Sequence, residues 1–286
     1  MSDRDRYIPG VPCWVDTTQP DPEAAVEFYG ELFGWELENS MPPDAPGKYF
    51  NGRLRGEHVA AISSPPPSDA PPRAVWNTYV WVESADETAA KVRDAGGAVT
   101  ADPFDVMEAG RMAVCTDREG AAFGIWQAGE HRGAKIVNVP GSLNFNTLNT
   151  RDVSGAAAFY GAVFGWEVLP VGGGEMWALP GYGRFLDEIN PGTLDNMAEV
   201  GAPEGFENVV ASLAPIPDDQ PETAPHWSVT FGVDDADAIA AKASELGGAV
   251  VAGPFDAPWS RIAVIRDPQG ATFTASKFVP ENRDLA

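Results

Sequence analysis

The sequence predicts an α+β protein of four strand–helix–three-strand (βαβββ) units, arranged as two tandem copies. Three observations carry this. The chain repeats itself: FYGELFGWE at 28–36 returns as FYGAVFGWE at 159–167, and RMAVCTDREGAAF at 111–123 returns as RIAVIRDPQGATF at 261–273. Between those blocks, residues 76–105 and 227–256 agree at 15 of 30 positions without a gap. Inside each copy the apolar pattern changes from alternation to helical spacing and back, once in each half.

The elements follow in order. An alternating run over 11–18 reads as a strand. Asp21 and Pro22 then form an N-cap with proline at the first helical position, and Val26, Phe28, Tyr29, Leu32 and Phe33 keep helical spacing up to Gly34. Short strands are expected at 35–38, 48–55 and 57–63. The proline-rich stretch SSPPPSDAPPR at 63–73 separates the two halves of the copy. In the second half a strand is expected at 75–83, a helix at 85–95 stopped by Gly96 and Gly97, and strands at 98–106, 110–116 and 121–127. GEHRGAKIVNVPG at 129–141 breaks the apolar pattern, so the domains are expected at 1–134 and 135–286. The repeat offset grows from 131 to 151 along the chain, which puts about twenty extra residues in the second copy, expected within 190–224. The GGG run at 172–174 reads as a hairpin turn and the Pro/Asp/Glu-rich segment 215–225 as a linker.

Composition narrows the function. The chain has 286 residues, 44% hydrophobic and 21% charged, with no apolar run approaching the ~20 residues of a membrane span. Its 19 Lys and Arg against 42 Asp and Glu give a net charge of −23, which repels phosphate backbones and anionic headgroups. Nucleic acid and membrane surfaces are therefore excluded as partners, and neutral or cationic small ligands are favoured over anionic ones. The opening MSDRDRYIPGVP lacks a signal-peptide pattern, and Cys13 and Cys115 are the two cysteines, so a reduced cytoplasmic chain without a disulfide framework is expected.

The fourfold unit, together with the FYG..FGWE and D..G.....F signatures, resembles the glyoxalase / bleomycin-resistance / extradiol-dioxygenase (vicinal oxygen chelate) superfamily. The FYGxxFGW helix end and the DPQGAxF turn are similar to two-domain glyoxalase-like proteins of actinobacteria, often labelled hydroxylases. The resemblance covers nearly the whole chain. It implies curved sheets forming cups, with inward side chains of the first, fourth, fifth and eighth strands of each copy either holding a divalent metal or lining a ligand pocket. At the positions the resemblance assigns to metal ligands, this sequence has Trp14, Ala60, Asn77 and Gly124 in the first copy and Phe145, Asp187, Ser228 and Thr274 in the second. One carboxylate among eight does not make a metal site, since a catalytic metal needs several oxygen or nitrogen donors. His58 and His131 are far apart in the pattern, and Asp187 with His226 would form at most a partial site. No metal and no cofactor are expected.

Period-2 alternation places Trp14, Asp16 and Thr18 on one face of the first strand, Asn77, Tyr79 and Trp81 on one face of the fifth, and Gly124 and Trp126 on one face of the last strand of the first copy. The second copy offers Phe145, Thr147, Asn149, Ser228, Thr230, Thr272, Thr274 and Ser276. Trp35 with Trp166, and Trp76 with Trp227, correspond between copies and read as packing residues. Arg111 and Arg261 also correspond, as do Asp117 and Asp267, and these are expected to pair across the hairpin. The candidate ligand-binding residues are Trp14, Asp16, Asn77, Tyr79, Trp81, Trp126, Phe145, Asn149, Ser228, Thr230 and Thr274. Rings with a few polar tips suit a planar aromatic or amphiphilic molecule, and Asp16 suits a cationic one.

The first reading is metal-independent binding and sequestration of such a molecule, as in resistance proteins. The alternative is an enzyme of the same fold, a glyoxalase-like lyase, isomerase or cyclase using Asp16 and Tyr79 as acid and base, or one with an unorthodox metal site. The sequence leaves open whether the first unit pairs with the second or the fourth. Because fused copies can satisfy each other, it is equally consistent with a monomer (a pseudo-dimer) and with a homodimer.

Overall fold

A computed structural model describes residues 7–67, 71–171 and 174–285. The first module is β1 (Pro12–Thr18), α1 (Pro22–Phe33), β2 (Glu36–Asn39), β3 (Tyr49–Leu54) and β4 (Glu57–Ser63). The second is β5 (Val75–Trp81), α2 (Ala85–Asp94), β6 (Ala98–Val106), β7 (Gly110–Thr116) and β8 (Ala122–Ala128). The third is β9 (Leu143–Thr150), α3 (Val153–Phe164), β10 (Glu167–Val171), β11 (Gly174–Ala178) and β12 (Val209–Pro215), with α4 (Tyr182–Ile189) and α5 (Thr193–Glu199) between its last two strands. The fourth is β13 (His226–Gly232), α6 (Ala236–Glu245), β14 (Ala249–Ala257), β15 (Ser260–Arg266) and β16 (Thr272–Phe278). The fourfold unit and the α+β class are as the sequence predicts.

The strands form two curved eight-stranded sheets, ordered β2-β3-β4-β1-β5-β8-β7-β6 and β10-β11-β12-β9-β13-β16-β15-β14. Within each module the first strand runs parallel to the last: Asp16 lies beside Ala61, Tyr79 beside Gly124, Thr147 beside Ser212 and Thr230 beside Thr274. The module helices start where short polar side chains meet free N–H groups. Asp21 accepts from the Ala24 N–H, Ser84 from Glu87, Asp152 from Gly155, and Asp235 from Asp237 and Ala238. Gly34 (φ 71°) and Gly165 (φ 75°) end α1 and α3 in the left-handed conformation that glycine adopts without steric cost.

The inserted residues do not begin at 190 as expected. They begin with α4, because Gly181 (φ 89°) opens a helix at Tyr182, and the expected strand position Asp187 falls within it. The fourth strand of the copy is β12. Of the expected hairpin, Gly172 and Gly173 lie outside the described residues, as do residues 68–70 of the proline-rich connector. The flanking β10 and β11 pair antiparallel. Among the described residues no helix is long and apolar enough to cross a membrane.

The chain groups into two compact units. One comprises the described residues up to Cys13, Tyr79–Gly133 and Asn146–Trp227; the other comprises Trp14–Thr78, Ala134–Phe145 and Ser228 onward. In the first unit the second and third modules, with Trp227 from the start of β13, form a core that also holds Phe123, Phe159, Tyr160, Trp166 and Trp177. In the second the first and fourth modules, with Trp76 from the start of β5, form one that also holds Phe28, Tyr29, Trp35, Phe231 and Phe273. The tryptophans that correspond between copies are packing residues, as predicted, and each has its N–H satisfied. Trp35 donates to the Gly141 carbonyl at 2.7 Å and Trp166 to the Gly10 carbonyl at 2.7 Å.

Both cores are organised around a buried carboxylate. In the second unit Asp267 Oδ1 accepts from the N–H groups of Gln269, Gly270 and Ala271 at 2.7–2.9 Å. Its Oδ2 accepts from Gln19 Nε2 at 2.6 Å and from the Tyr29 hydroxyl at 2.8 Å, and Trp76 Nε1 donates to that hydroxyl at 3.2 Å. In the first unit Asp117 Oδ1 accepts from the Glu119 and Ala121 N–H groups at 2.9 Å. Tyr160 donates to Asp117 Oδ2 at 3.1 Å, and Trp227 donates to Tyr160 at 3.0 Å. The expected pairing of these aspartates with Arg111 and Arg261 is therefore not made. Arg111 binds Asp86 and Asp105 instead, and Arg261 binds Asp237 and Asp256, at the surface where their long side chains remain hydrated.

Replacing Tyr29 or Tyr160 by Phe leaves a buried carboxylate short of a donor, so each substitution should lower stability by about 1–3 kcal/mol in urea unfolding. Burial first, and the neighbouring aspartate second, push both phenols well above the ordinary tyrosine value of 10.0. The native state therefore keeps these protons when the unfolded chain has lost them, so the contribution of these two phenols to stability should be constant below pH 10 and fall above it. The slope should be about 1.4 kcal/mol per pH unit for each retained proton. Phenolate absorbance in alkaline titration should show at least two of the six tyrosines ionising only as the protein unfolds.

Candidate functional site

The side chains singled out on β1 are brought together with one that the sequence reading missed. Within the second unit, Asp16 is 4% exposed on β1, and side-chain donors meet it. Tyr49, at the start of β3, donates its hydroxyl to Asp16 Oδ2 at 3.2 Å, and Asn77 on β5 donates Nδ2 to Oδ1 at 2.8 Å. Trp14 Nε1 donates to the Tyr49 hydroxyl at 2.9 Å, and Asn77 Nδ2 also donates to Thr18 Oγ1 at 3.1 Å. Thr18 and Ser63 hydroxyls lie 3.3 Å apart. The Trp14 ring stands 6.3 Å from that of His58. The result is a polar chain along β3, β1 and β5 with a tryptophan at one end and half-buried Asn77 at the other.

Electrostatics follow from this packing. Desolvation, reinforced by the adjacent Asp16 carboxylate, holds the Tyr49 phenol well above the ordinary tyrosine range, while the Trp14 bond works the other way. Burial lowers the pKa of His58, with the charge of Arg53 adding to the effect. At neutral pH the Tyr49 phenol is therefore protonated and the His58 ring neutral.

The remaining candidates are placed as follows. In the first unit Tyr79 is half-buried and its ring lies against Gly124, where any Cβ would collide with it. Trp81 is buried and stacked on Tyr7 at 5.8 Å between centroids, and Trp126 is buried with its N–H donated to the His131 carbonyl at 3.0 Å. Asn149 Nδ2 donates to the Thr147 and His226 carbonyls, both at 3.3 Å. In the second unit Phe145, Ser228, Thr230 and Thr274 are all half-buried, with Thr230 and Thr274 on one rung.

The four parallel rungs fix the positions at which the fold can present a metal ligand from each last strand. They are Ala61, Gly124, Ser212 and Thr274. Two expectations are corrected. Ala60 belongs to the helix-packed core, and Ala61 takes the position beside Asp16, because a bulge after Gly52 sets Gly52 against Ala60 but Arg53 against His58. Asp187 is not on a strand at all. It lies in α4, where its carboxylate accepts from the N–H groups of Gly192 and Leu194. His226 is exposed, with Nδ1 2.9 Å from the Ala224 carbonyl. With Trp14, Asn77, Phe145 and Ser228 on the first strands, none of the eight positions carries a carboxylate or an imidazole. Among the described residues no three His, Cys, Asp or Glu side chains are grouped so as to hold a metal ion. The donor set does not fit the divalent metal that the family resemblance implies.

Gly124 and Tyr79 test this geometry. Gly124→Ala should destabilise the protein by about 1–3 kcal/mol, because β8 cannot move away from its rung partner. Combining it with Tyr79→Ala should recover about 1 kcal/mol or more relative to the sum of the single variants in a double-mutant cycle.

Comparison with known proteins agrees with this architecture. The chain is 41% identical over 285 residues to CFP32 of Mycobacterium tuberculosis, named provisionally as a glyoxylase, covering 98% of this chain and all of the relative. It is 34% identical over 281 residues to the anthracycline biosynthesis protein DauV of a Streptomyces species (strain C5), covering 94% of each. Among solved structures, the Mn(II)-bound glyoxalase of Novosphingobium aromaticivorans shares the fold at 15% identity and a TM-score of 0.59, over 94% of this chain and 82% of that one. Residues 14–125 and 142–274 each match the same domain family, and the chain belongs to the Glyoxalase/Bleomycin resistance protein/Dioxygenase superfamily.

Proposed function

We propose that this protein binds a small planar aromatic or amphiphilic molecule against the β1 face bearing Trp14 and Asp16, without a metal ion. The observation that carries the reading is the side-chain set at the eight positions described above. Rings, hydroxyls, an amide and small residues stand where a chelated ion would need carboxylates and imidazoles. Indole and phenol surfaces offer flat apolar area, and the Asp16 carboxylate adds a preference for positive charge. The relative DauV, named for the biosynthesis of anthracyclines, points to the same chemistry, since anthracyclines are fused planar ring systems bearing an amine.

A catalytic use of the same group is the second reading. It is favoured by the Tyr49–Asp16 hydrogen bond, which pairs a phenol with a carboxylate as a potential acid and base. Mass spectrometry of the incubated ligand separates the two, because binding alone returns it unchanged.

Doxorubicin should raise the thermal unfolding temperature of the protein increasingly, as the logarithm of its concentration above the Kd, and equally with and without EDTA. Asp16→Asn should weaken that binding about tenfold or more while leaving a neutral aromatic ligand little affected. Absence of any shift, or a shift that requires an added divalent ion, rejects the reading.

A further inference from the structure

We propose that Asn77 is the specificity-determining residue of this site, its side-chain oxygen a fixed acceptor for a hydroxyl or N–H group on the aromatic ligand. The inference rests on the binding reading above and narrows its ligand class. It starts from the amide orientation. A carboxylate accepts hydrogen bonds and cannot donate them, so the Asn77 atom 2.8 Å from Asp16 Oδ1 must be the nitrogen. That nitrogen has two hydrogens, and Thr18 Oγ1 at 3.1 Å takes the other. Flipping the amide would set its oxygen against the Asp16 carboxylate, while Thr18, a hydroxyl, could serve either orientation. The carbonyl oxygen therefore points away from Asp16.

That oxygen is available. Its residue is half-buried, and among the described residues none donates a hydrogen bond to Oδ1 and the atom is not sealed from solvent. The neighbouring donors are meanwhile directed inward. Trp14 N–H is given to Tyr49, Tyr49 O–H to Asp16, and the Thr18 hydroxyl, which already accepts from Asn77, lies beside Ser63. The site thus presents an acceptor next to a negative charge and an indole ring. A phenol, hydroxyquinone or aromatic amine can donate to Asn77. A methyl ether at the same place cannot, and a carboxylate would face two like-charged or lone-pair-bearing oxygens. The corresponding residue of the second copy is Ser228, whose hydroxyl can donate as well as accept, so a serine here should not discriminate.

The test titrates the full chain with 1-naphthol, 1-methoxynaphthalene and 1-naphthoate, following quenching of tryptophan fluorescence. The wild type should bind 1-naphthol at least tenfold more tightly than 1-methoxynaphthalene, with 1-naphthoate weakest. In Asn77→Ser the naphthol-to-ether ratio should fall to within about threefold, with Trp14→Phe lowering both affinities together and keeping the ratio. Equal binding of naphthol and ether by the wild type, or a ratio unchanged in Asn77→Ser, overturns the role of Asn77 while leaving aromatic binding in place. Failure of all three probes to bind rejects the binding reading and this inference with it.

Discussion

A carboxylate taken out of water has to be met by donors, and the way Asp16 is met determines what this face of the protein can do. Burying an ionised group costs several kcal/mol unless hydrogen bonds replace the lost hydration. A metal ion would be one solution. Here Tyr49 and Asn77 supply the replacement, and Trp14 and Thr18 hold those two in turn. Once the oxygens are engaged by side-chain N–H and O–H groups, the carboxylate contributes charge and orientation, and the surface left over is aromatic and amide.

The same rule is met differently elsewhere in the chain. Asp117 and Asp267 are as buried as Asp16, but their donors are the backbone N–H groups of their own turns and a core tyrosine. Those carboxylates fix a turn against a helix and recur in both copies. Asp16 does not recur: Thr147 takes its place, Phe145 replaces Trp14 and Ser228 replaces Asn77. Volume is exchanged in the same fashion on the neighbouring rungs, where Tyr79 over Gly124 becomes Thr230 beside Thr274. The duplicated cores have been kept alike while the two strand faces have diverged, and it is on the first copy's face that rings and charge are concentrated.

Most of the architecture was legible in the sequence because local signals and the repeat agree. The Asp21–Pro22 start and Gly34 stop of α1 are visible in isolation, and the return of FYG..FGWE confirms the helix a second time. Strand alternation puts Trp14 and Asp16 on one face of β1, while the family resemblance marks that face, and Asn77 on β5, as inward. Tyr49 was not legible, since its contact with Asp16 depends on how β3 pairs with β4 across the loop that precedes it, and alternation does not say which face of β3 turns toward β1. The bulge after Gly52 was equally invisible, and it moved the fourth-strand position from Ala60 to Ala61. α4 defeated the count in the second copy because Gly183 reads as a turn glycine whether it sits in a hairpin or, as here, inside a helix.

Rings, hydroxyls, an amide and small residues stand at the strand positions that the family resemblance assigns to metal ligands. Calorimetric titration of protein stripped with chelator, using Mn(II) as the titrant, tests most directly whether these positions bind an ion. The side chains at the eight strand positions predict no stoichiometric heat. Binding of one or two equivalents with micromolar or tighter affinity would contradict the account.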